Sequence, residues 1–492
     1  MKNAWKKQLT PIAILAIIIF IGFVLRLILV LKLELWIDEV FYLTTARANS
    51  LLDLILQRHW IKDHPQFYLI LVHFWSKIAT DPLFLRFPTL LASIFSHILI
   101  FLIVREVLNP KAALIATFIY AFSHFYVALD WQATPYGLET MFILLSIYSF
   151  VKMLFTNNKQ SFSSNKRWLI GFVIANVLGF YTDYSFIWYF GSLWIVFLLL
   201  ILFKGWRRNK VNHGLFVVGL ILSFLLMVPQ VHLIILNFNS FPNLSRHLEK
   251  PNLSTLQDGL KNTIGIVPRG SPLNAELGLF LTYLITFISM FGLIYFLRPA
   301  NKNPAQKLFV ALLLMLFLLP PAISYTFSIL VFPIFVTKTF LASGFFLNFS
   351  LAYLSTRALE KKWTKIIFAV LCFCWVFLFL ANWNCPQTYS DYAAYPSLSS
   401  KKVRDEIRTV AGTNQKVLVT LFLDKSDWRF IPLRDYYLPE LDENNKAGPG
   451  IKYDAVLIWG GKEEGLEAFL VQKEKYDYIW LIKYMENLER LK

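Results

Sequence analysis

Asp38 and Glu39 stand side by side just after a long apolar run, with Trp36 two positions before Asp38. Two adjacent carboxylates beside apolar surface cost free energy if they only decorate a loop. The pair suits a general base whose pKa is raised by its surroundings. It equally suits the start of a helix, where Asp is a favoured cap and carboxylates complement the helix dipole. Both readings stand on residue chemistry.

His64-Pro65, preceded by Lys62 and Asp63, forms a second cluster. Pro65 can open a helix at its first position, and His64 either binds phosphate, steers a proton or serves as a polar interfacial cap. Arg86, in LFLRFPT, lies at the mouth of an apolar run and needs an anionic partner: a lipid headgroup, a carboxylate or a substrate phosphate. Lys338, in FPIFVTKTFL, can simply snorkel to the interface. Alternatively, Arg86 and Lys338 converge on a lipid-linked phosphate. Asp130 and Tyr136 flank the short turn LDWQATPYG, and Asp183 in YTDYS reads as a turn residue.

These residues lie between apolar stretches that dominate the chain. Of 492 residues 57% are hydrophobic and 16% charged, against roughly 25% charged in soluble domains. Each stretch is about 18–25 residues, the length a helix needs to cross hydrocarbon. Backbone groups in lipid must bond within their own segment, so these are helices rather than strands. The expected spans are Pro11–Leu33, Phe84–Val104, Ala112–Leu129, Tyr136–Phe155, Trp168–Tyr181 and Phe186–Phe203. Leu215–Leu236, Leu277–Leu297, Leu308–Leu330, Phe335–Ser355 and Ile366–Ala381 complete the set, about eleven spans in all.

Every second loop is basic, for example Arg105 and Lys111, then Lys166 and Arg167, then Arg207 and Arg208, and later Arg357, Lys361 and Lys362. Positive-inside logic puts these loops and the N-terminus in the cytoplasm, as in a bacterial inner membrane, and the acidic pair outside. The net charge of +17 is thereby a matter of topology and anionic lipid, and nucleic acid is excluded as a partner. The opening MKNAWKK and its apolar run read as a retained signal-anchor. Cys372, Cys374 and Cys385 suggest neither a disulfide framework nor a metal site.

Residues 1–383 therefore form a polytopic α-helical membrane domain, with in-plane helices in the outer segment 34–83. Asn237–Glu276 reads as a polar outer loop. Residues 384–492 read as a small outer-face α/β domain. Its strands fall in KVLVTLFL, YDAVLIWGG and YDYIWLIKY, its helices in SSKKVRDEIRTVAG and KEEGLEAFLVQKEKY, and its sheet is partly parallel. No Gly-rich phosphate loop precedes a helix.

In this order LWIDEVFY, HPQFYLILVHFW and LRFPTLLAS resemble the family 39-like glycosyltransferases of the GT-C superfamily, over roughly Leu35–Tyr148 with a weaker echo around Phe332–Leu354. The resemblance implies transfer of a sugar from a polyprenyl-phosphate carrier to a lipid, glycan or protein acceptor at the outer face, with inversion. Asp38 would be the base, Glu39 its support, and His64, Arg86, Asp130, Tyr136 and Lys338 the substrate-binding set. A divalent ion, if one is used, would fall to Asp38 and Glu39; no other cofactor is implied. Two stretches depart from the family pattern. Gln132 and Thr134 stand where an acid and an arginine are usual, and Lys338-Thr339 replaces Arg-Tyr. A lysine keeps the charge but loses the bidentate fork. The competing readings are a lipid or polysaccharide transporter, to which Pro320-Pro321 within a span leaves room, and a transferase-derived scaffold without turnover.

Overall fold

The computed structural model describes residues 2–33, 35, 37–58, 64–155, 162–202, 210–237, 250–264 and 304–358. It also describes strand residues 417–423, 453–459, 478–483 and 489–490 and the isolated positions 280, 283, 284, 287, 376 and 379. The expected helices in SSKKVRDEIRTVAG and KEEGLEAFLVQKEKY lie outside the described residues. So do Trp36, Lys62, Asp63, the three cysteines and most of the expected spans Leu277–Leu297 and Ile366–Ala381.

The chain is a helical membrane protein. Among the described residues, Pro11–Lys32, Pro82–Val107 and Gly214–Asn237 are long and apolar enough to cross a bilayer. They belong to α1 (Lys2–Lys32), α5 (Pro82–Val107) and α11 (Lys210–Asn237). Between α1 and α5 lie three short helices: α2 (Ile37–Ala48), α3 (Leu51–Ile55) and α4 (Gln66–Trp75). At 10 residues α4 is about 15 Å long, half a bilayer core.

Local chemistry sets the starts of these helices. Asp81 Oδ1 accepts from the Phe84 amide at 3.0 Å, and Pro82 occupies a first-turn position whose N–H would go unused. Asn109 and Pro110 repeat the device for α6 (Pro110–Ala121), with Asn109 Oδ1 2.9 Å from the Ala112 amide. Helix α5 packs on α1, α6 and α8 (Tyr136–Phe155), and α8 packs on α9 (Phe162–Thr182). The close α1–α5 approach needs Gly22, where a Cβ would fall 2.5 Å from His97 Nε2. Helix α10 (Phe186–Leu202) follows the tight turn after α9.

Three expectations are corrected. The span expected at Ala112–Leu129 is two helices, α6 and α7 (His124–Asp130), bent by 64°. Ser123 takes extended backbone and breaks the ladder. The bend brings Tyr120 Oη within 2.7 Å of Asp130 Oδ2, although a straight helix would separate positions ten apart by about 15 Å. The polar loop Asn237–Glu276 contains α12 (Leu253–Ile264), capped by Asn252, whose Oδ1 accepts from the Thr255 amide at 3.0 Å.

The span expected from Phe335 begins instead as extended chain and a 3-10 turn, Thr337–Phe340, before α14 (Leu341–Ala358). Thr339 Oγ1 holds the Val336 carbonyl at 2.8 Å, which places Lys338 in a turn at the end of the bundle. Gly259 of α12 lies against the Phe340 ring of that turn. Pro320 and Pro321 sit inside a continuous α13 (Pro304–Leu330).

Near the C-terminus, β1 (Val417–Leu423), β2 (Tyr453–Trp459), β3 (Tyr478–Lys483) and β4 (Glu489–Arg490) form one sheet in the order β2-β1-β3-β4. β1 pairs parallel with both β2 and β3, in register Val417 with Tyr453 and with Tyr478, and β4 closes the edge antiparallel to β3. Parallel neighbours need long connections, and the chain leaves 29 residues between β1 and β2 and 18 between β2 and β3.

Candidate functional site

The helix ends that carry the candidate residues meet at one end of the bundle. The N-terminus of α5 reaches the C-terminus of α1 and the start of α2 through one side chain, Arg86. Its Nε and Nη2 donate to the two carboxylate oxygens of Glu39, each at 2.7 Å. Its Nη1 donates to the Val30 carbonyl at 3.1 Å and the Leu33 carbonyl at 2.5 Å. Those carbonyls end α1 and have no partner within the helix, so a cation there also complements the dipole. The Trp131 ring covers the guanidinium at 4.6 Å, and the Ala133 amide donates to Glu39 Oε1 at 2.6 Å.

Glu39 and Arg86 are 1% and 0% exposed. Arg86 is thus a clamp joining α1, α2 and the turn before α8, and the convergence of Arg86 and Lys338 on one phosphate gives way to two separate ion pairs. Glu39 has both oxygens engaged, so Asp38-Glu39 does not present the two open carboxylates a divalent ion takes. Among the described residues no group of three His, Cys, Asp or Glu side chains comes together to hold a metal. A divalent ion does not fit this pair.

Asp38 stands partly exposed in the first turn of α2. It precedes Glu39 by one position, about 100° around the helix, and shares a face with Tyr42 one turn on. An apolar cleft between α2, α4 and α5 runs beside Glu39 and Tyr42, walled by Leu71, Val72, Trp75, Leu85 and Pro88.

Tyr42 leads to a second cluster, centred on Asp183 in the turn between α9 and α10. Tyr42 Oη lies 3.0 Å from His64 Nδ1, and that nitrogen is 3.8 Å from Asp183 Oδ2. Lys338 Nζ donates to both Asp183 oxygens at 3.0 and 3.2 Å and lies 5.1 Å above the Tyr136 ring. The Ser185 amide donates to Asp183 Oδ1 at 2.8 Å, while Ser185 Oγ donates to Glu139 Oε1 at 2.6 Å. Burial alone would raise the Asp183 pKa; Lys338, His64 and the Ser185 amide together hold it below the usual carboxylate range. His64, Tyr136 and Lys338 are therefore brought together, around an aspartate read from sequence as a turn residue.

Asp130 is elsewhere. It is fully buried, and Arg26 of α1 donates to its Oδ2 from Nη2 at 2.9 Å and Nε at 3.2 Å, with Tyr120 completing the set. It closes an internal ion pair instead of facing a substrate with Tyr136. Gln132 and Thr134 are buried as well, Gln132 donating to the Ala128 carbonyl at 2.8 Å. Sequence reading missed Arg26 and Glu139, although an ionisable residue inside an apolar run always asks for a partner. It also missed Tyr42, which carries no signal beyond its i+4 spacing from Asp38.

Residues 63–232 match the sequence profile of the dolichyl-phosphate-mannose-protein mannosyltransferase family. That stretch contains His64, Arg86, Asp130, Tyr136 and Asp183 but not Asp38, Glu39 or Lys338. No curated protein matches the sequence. Among solved structures, the chain is similar to the oligosaccharyltransferase of Archaeoglobus fulgidus in its apo form, with a TM-score of 0.57 and 13% identity over 88% of this chain and 64% of that one. The chain thus spans under two thirds of the length of that enzyme. The same enzyme, AglB, in complex with an inhibitory peptide and a dolichol-phosphate gives a TM-score of 0.52 at 14% identity, over 97% of this chain and 70% of that one. ArnT from Cupriavidus metallidurans bound to undecaprenyl phosphate gives 0.51 at 12% identity, over 98% of this chain and 93% of that one. At such identities the likeness is one of fold.

Proposed function

From a chain with the GT-C fold as premise, we propose that the protein is a membrane glycosyltransferase that moves a sugar from a polyprenyl-phosphate carrier to an acceptor hydroxyl at the outer face. The observation that carries this reading is the partly exposed Asp38, set on a helix start that Arg86 and Glu39 hold in place, at the same end of the bundle as Lys338. Carriers of this kind are bound by the structures compared above: dolichol-phosphate by the archaeal enzyme and undecaprenyl phosphate by the bacterial one.

In this proposal the Asp38 carboxylate takes the proton of the acceptor hydroxyl. The acceptor oxygen forms a bond to the anomeric carbon as the bond from that carbon to the phosphate oxygen breaks, and polyprenyl phosphate leaves with the electron pair. A single displacement inverts the sugar carbon. Lys338 offsets charge growing on the leaving phosphate. Glu39 and Arg86 are positioning residues. The basic helix ends, with Arg105, Lys111 and Lys166, lie at the opposite end of the bundle, which supports a cytoplasmic side there. The C-terminal sheet is then an outer module for acceptor binding or for covering the loops.

The test is a panel of radiolabelled polyprenyl-phosphate sugars offered to membranes containing the protein. Transfer from at least one monosaccharide donor is expected. Silence across the panel, with the protein folded, would favour the scaffold or transporter reading.

A further inference from the structure

Asp183 is 1% exposed, and basic side chains from two separate elements face it: Lys338 from the 3-10 turn and His64 from the segment before α4. Glu139 of α8 reaches the same place through Ser185, Tyr42 of α2 faces His64, and the Tyr136 ring of α8 lies under Lys338. His64 and Lys338 are themselves 19% and 18% exposed, so both communicate with water while the aspartate between them does not.

We propose that Asp183 is an exchangeable counter-ion: when a polyprenyl phosphate engages Lys338, Asp183 passes from the lysine to His64, and carrier binding takes up one proton on the His64 imidazole. This rests on the reading of Lys338 as the cation for the carrier's phosphate.

With Lys338 on Asp183 the charges balance and a neutral imidazole suffices. A phosphate oxygen brings a second anion to the same ammonium. Two anions on one cation, one of them a buried carboxylate, are unfavourable where the effective dielectric is low. Protonating a group whose ordinary pKa is about 6.5 restores the balance at little cost, and His64 already stands 3.8 Å from Asp183. The proton comes from water and settles on a ring nitrogen, and no covalent bond among heavy atoms changes. Glu139, held through Ser185, gives Asp183 no positive charge to pair with, and proton uptake on Glu139 instead of His64 would leave the parent-to-His64→Gln ratio flat with pH.

The sign follows from linkage. If the carrier-bound protein holds His64 protonated at a higher pH than the free protein does, binding consumes a proton and tightens as pH falls. The effect is confined to the interval between the imidazole's pKa without and with the carrier, where it cannot exceed tenfold per pH unit, and it levels off on either side. Asp183 is thereby a positioning residue for the donor site, and its removal should help the phosphate at high pH.

The experiment is equilibrium binding of undecaprenyl phosphate to the purified full chain in detergent, from about pH 5.5 to about pH 8.5, for the parent, His64→Gln and Asp183→Asn. The ligand's own second ionisation, near about pH 6, is common to all three and cancels in ratios. The parent is expected to bind about tenfold tighter than His64→Gln near pH 6, the advantage vanishing by about pH 8.5. Asp183→Asn is expected to bind at least as tightly as the parent at high pH and to lose the pH-dependent advantage, whereas a merely structural aspartate would weaken binding at every pH. A parent-to-His64→Gln ratio that stays flat with pH overturns the inference and leaves the transferase reading standing. Absence of binding by the parent at every pH overturns the role of Lys338 together with it.

Discussion

Arg86 grips both carboxylate oxygens of Glu39 at 2.7 Å, and the same guanidinium closes the carbonyl end of α1. The first turn of α2 is therefore locked to two other elements, and Asp38 is presented from a fixed helix start. A buried ion pair is costly to break from one side, because the survivor is left charged and unpaired. Arg86→Met and Glu39→Gln should each lose about 3–5 kcal/mol. The double replacement should lose clearly less than the sum. Thermal unfolding in detergent, run as a double-mutant cycle, measures the coupling; additive losses would show that the pair is not a unit.

The Arg26–Asp130 pair makes the same demand deeper in the bundle. Asp130→Asn should destabilise by about 3–5 kcal/mol, since Arg26 is fully buried and has no other carboxylate among its observed partners. Tyr120→Phe removes one hydrogen bond to a charged acceptor and should lose about 1.5–3 kcal/mol. Were Asp130 a substrate ligand, its replacement would instead weaken donor binding and leave the melting temperature unchanged.

These two pairs explain what was legible in the sequence and what was not. The spans that fit one apolar window, such as α5 and α11, could be read from length and hydropathy alone. The Ala112–Leu129 window could not reveal the 64° break at Ser123, because both halves are apolar and the bend is stabilised by a contact between Tyr120 and Asp130. Arg86 carried the signal that it needed an anion but not which one. The choice between Glu39 and a phosphate depends on the distance between the start of α2 and α5, which no local pattern encodes. Lys338, His64 and Tyr136 were picked separately. Asp183, which pairs with Lys338 and His64 while Tyr136 lies under Lys338, sits in a turn where aspartate is ordinary, so its role appears only when four distant segments are brought together.

Gly22 gives a packing test independent of charge. Gly22→Ala would push a methyl into the His97 ring on α5, with both helices held by their neighbours. Overpacking of this kind should lose about 1–3 kcal/mol. Unchanged unfolding would mean that α1 and α5 do not pack through this glycine.

Asp183 has its pKa held below the ordinary aspartate value, so its pairing contributes stability that is present above that value and lost as pH falls through the depressed one. Lys338→Met leaves Asp183 buried beside a neutral side chain. The melting-temperature gap between parent and Lys338→Met should be full near pH 6 to 7 and should close as pH drops below about 3.9. A gap that widens with acid would contradict the ion pair.

The central claim is that Asp38 is the base, and it is tested most directly by the initial rate of sugar transfer from whichever polyprenyl-phosphate donor proves active, comparing the parent with Asp38→Asn. The amide is nearly isosteric and cannot accept the acceptor's proton. The predicted result is a fall of about 10²–10⁴-fold in rate, with undecaprenyl phosphate binding and melting temperature both within experimental error of the parent. Equal rates for the two proteins would contradict the account.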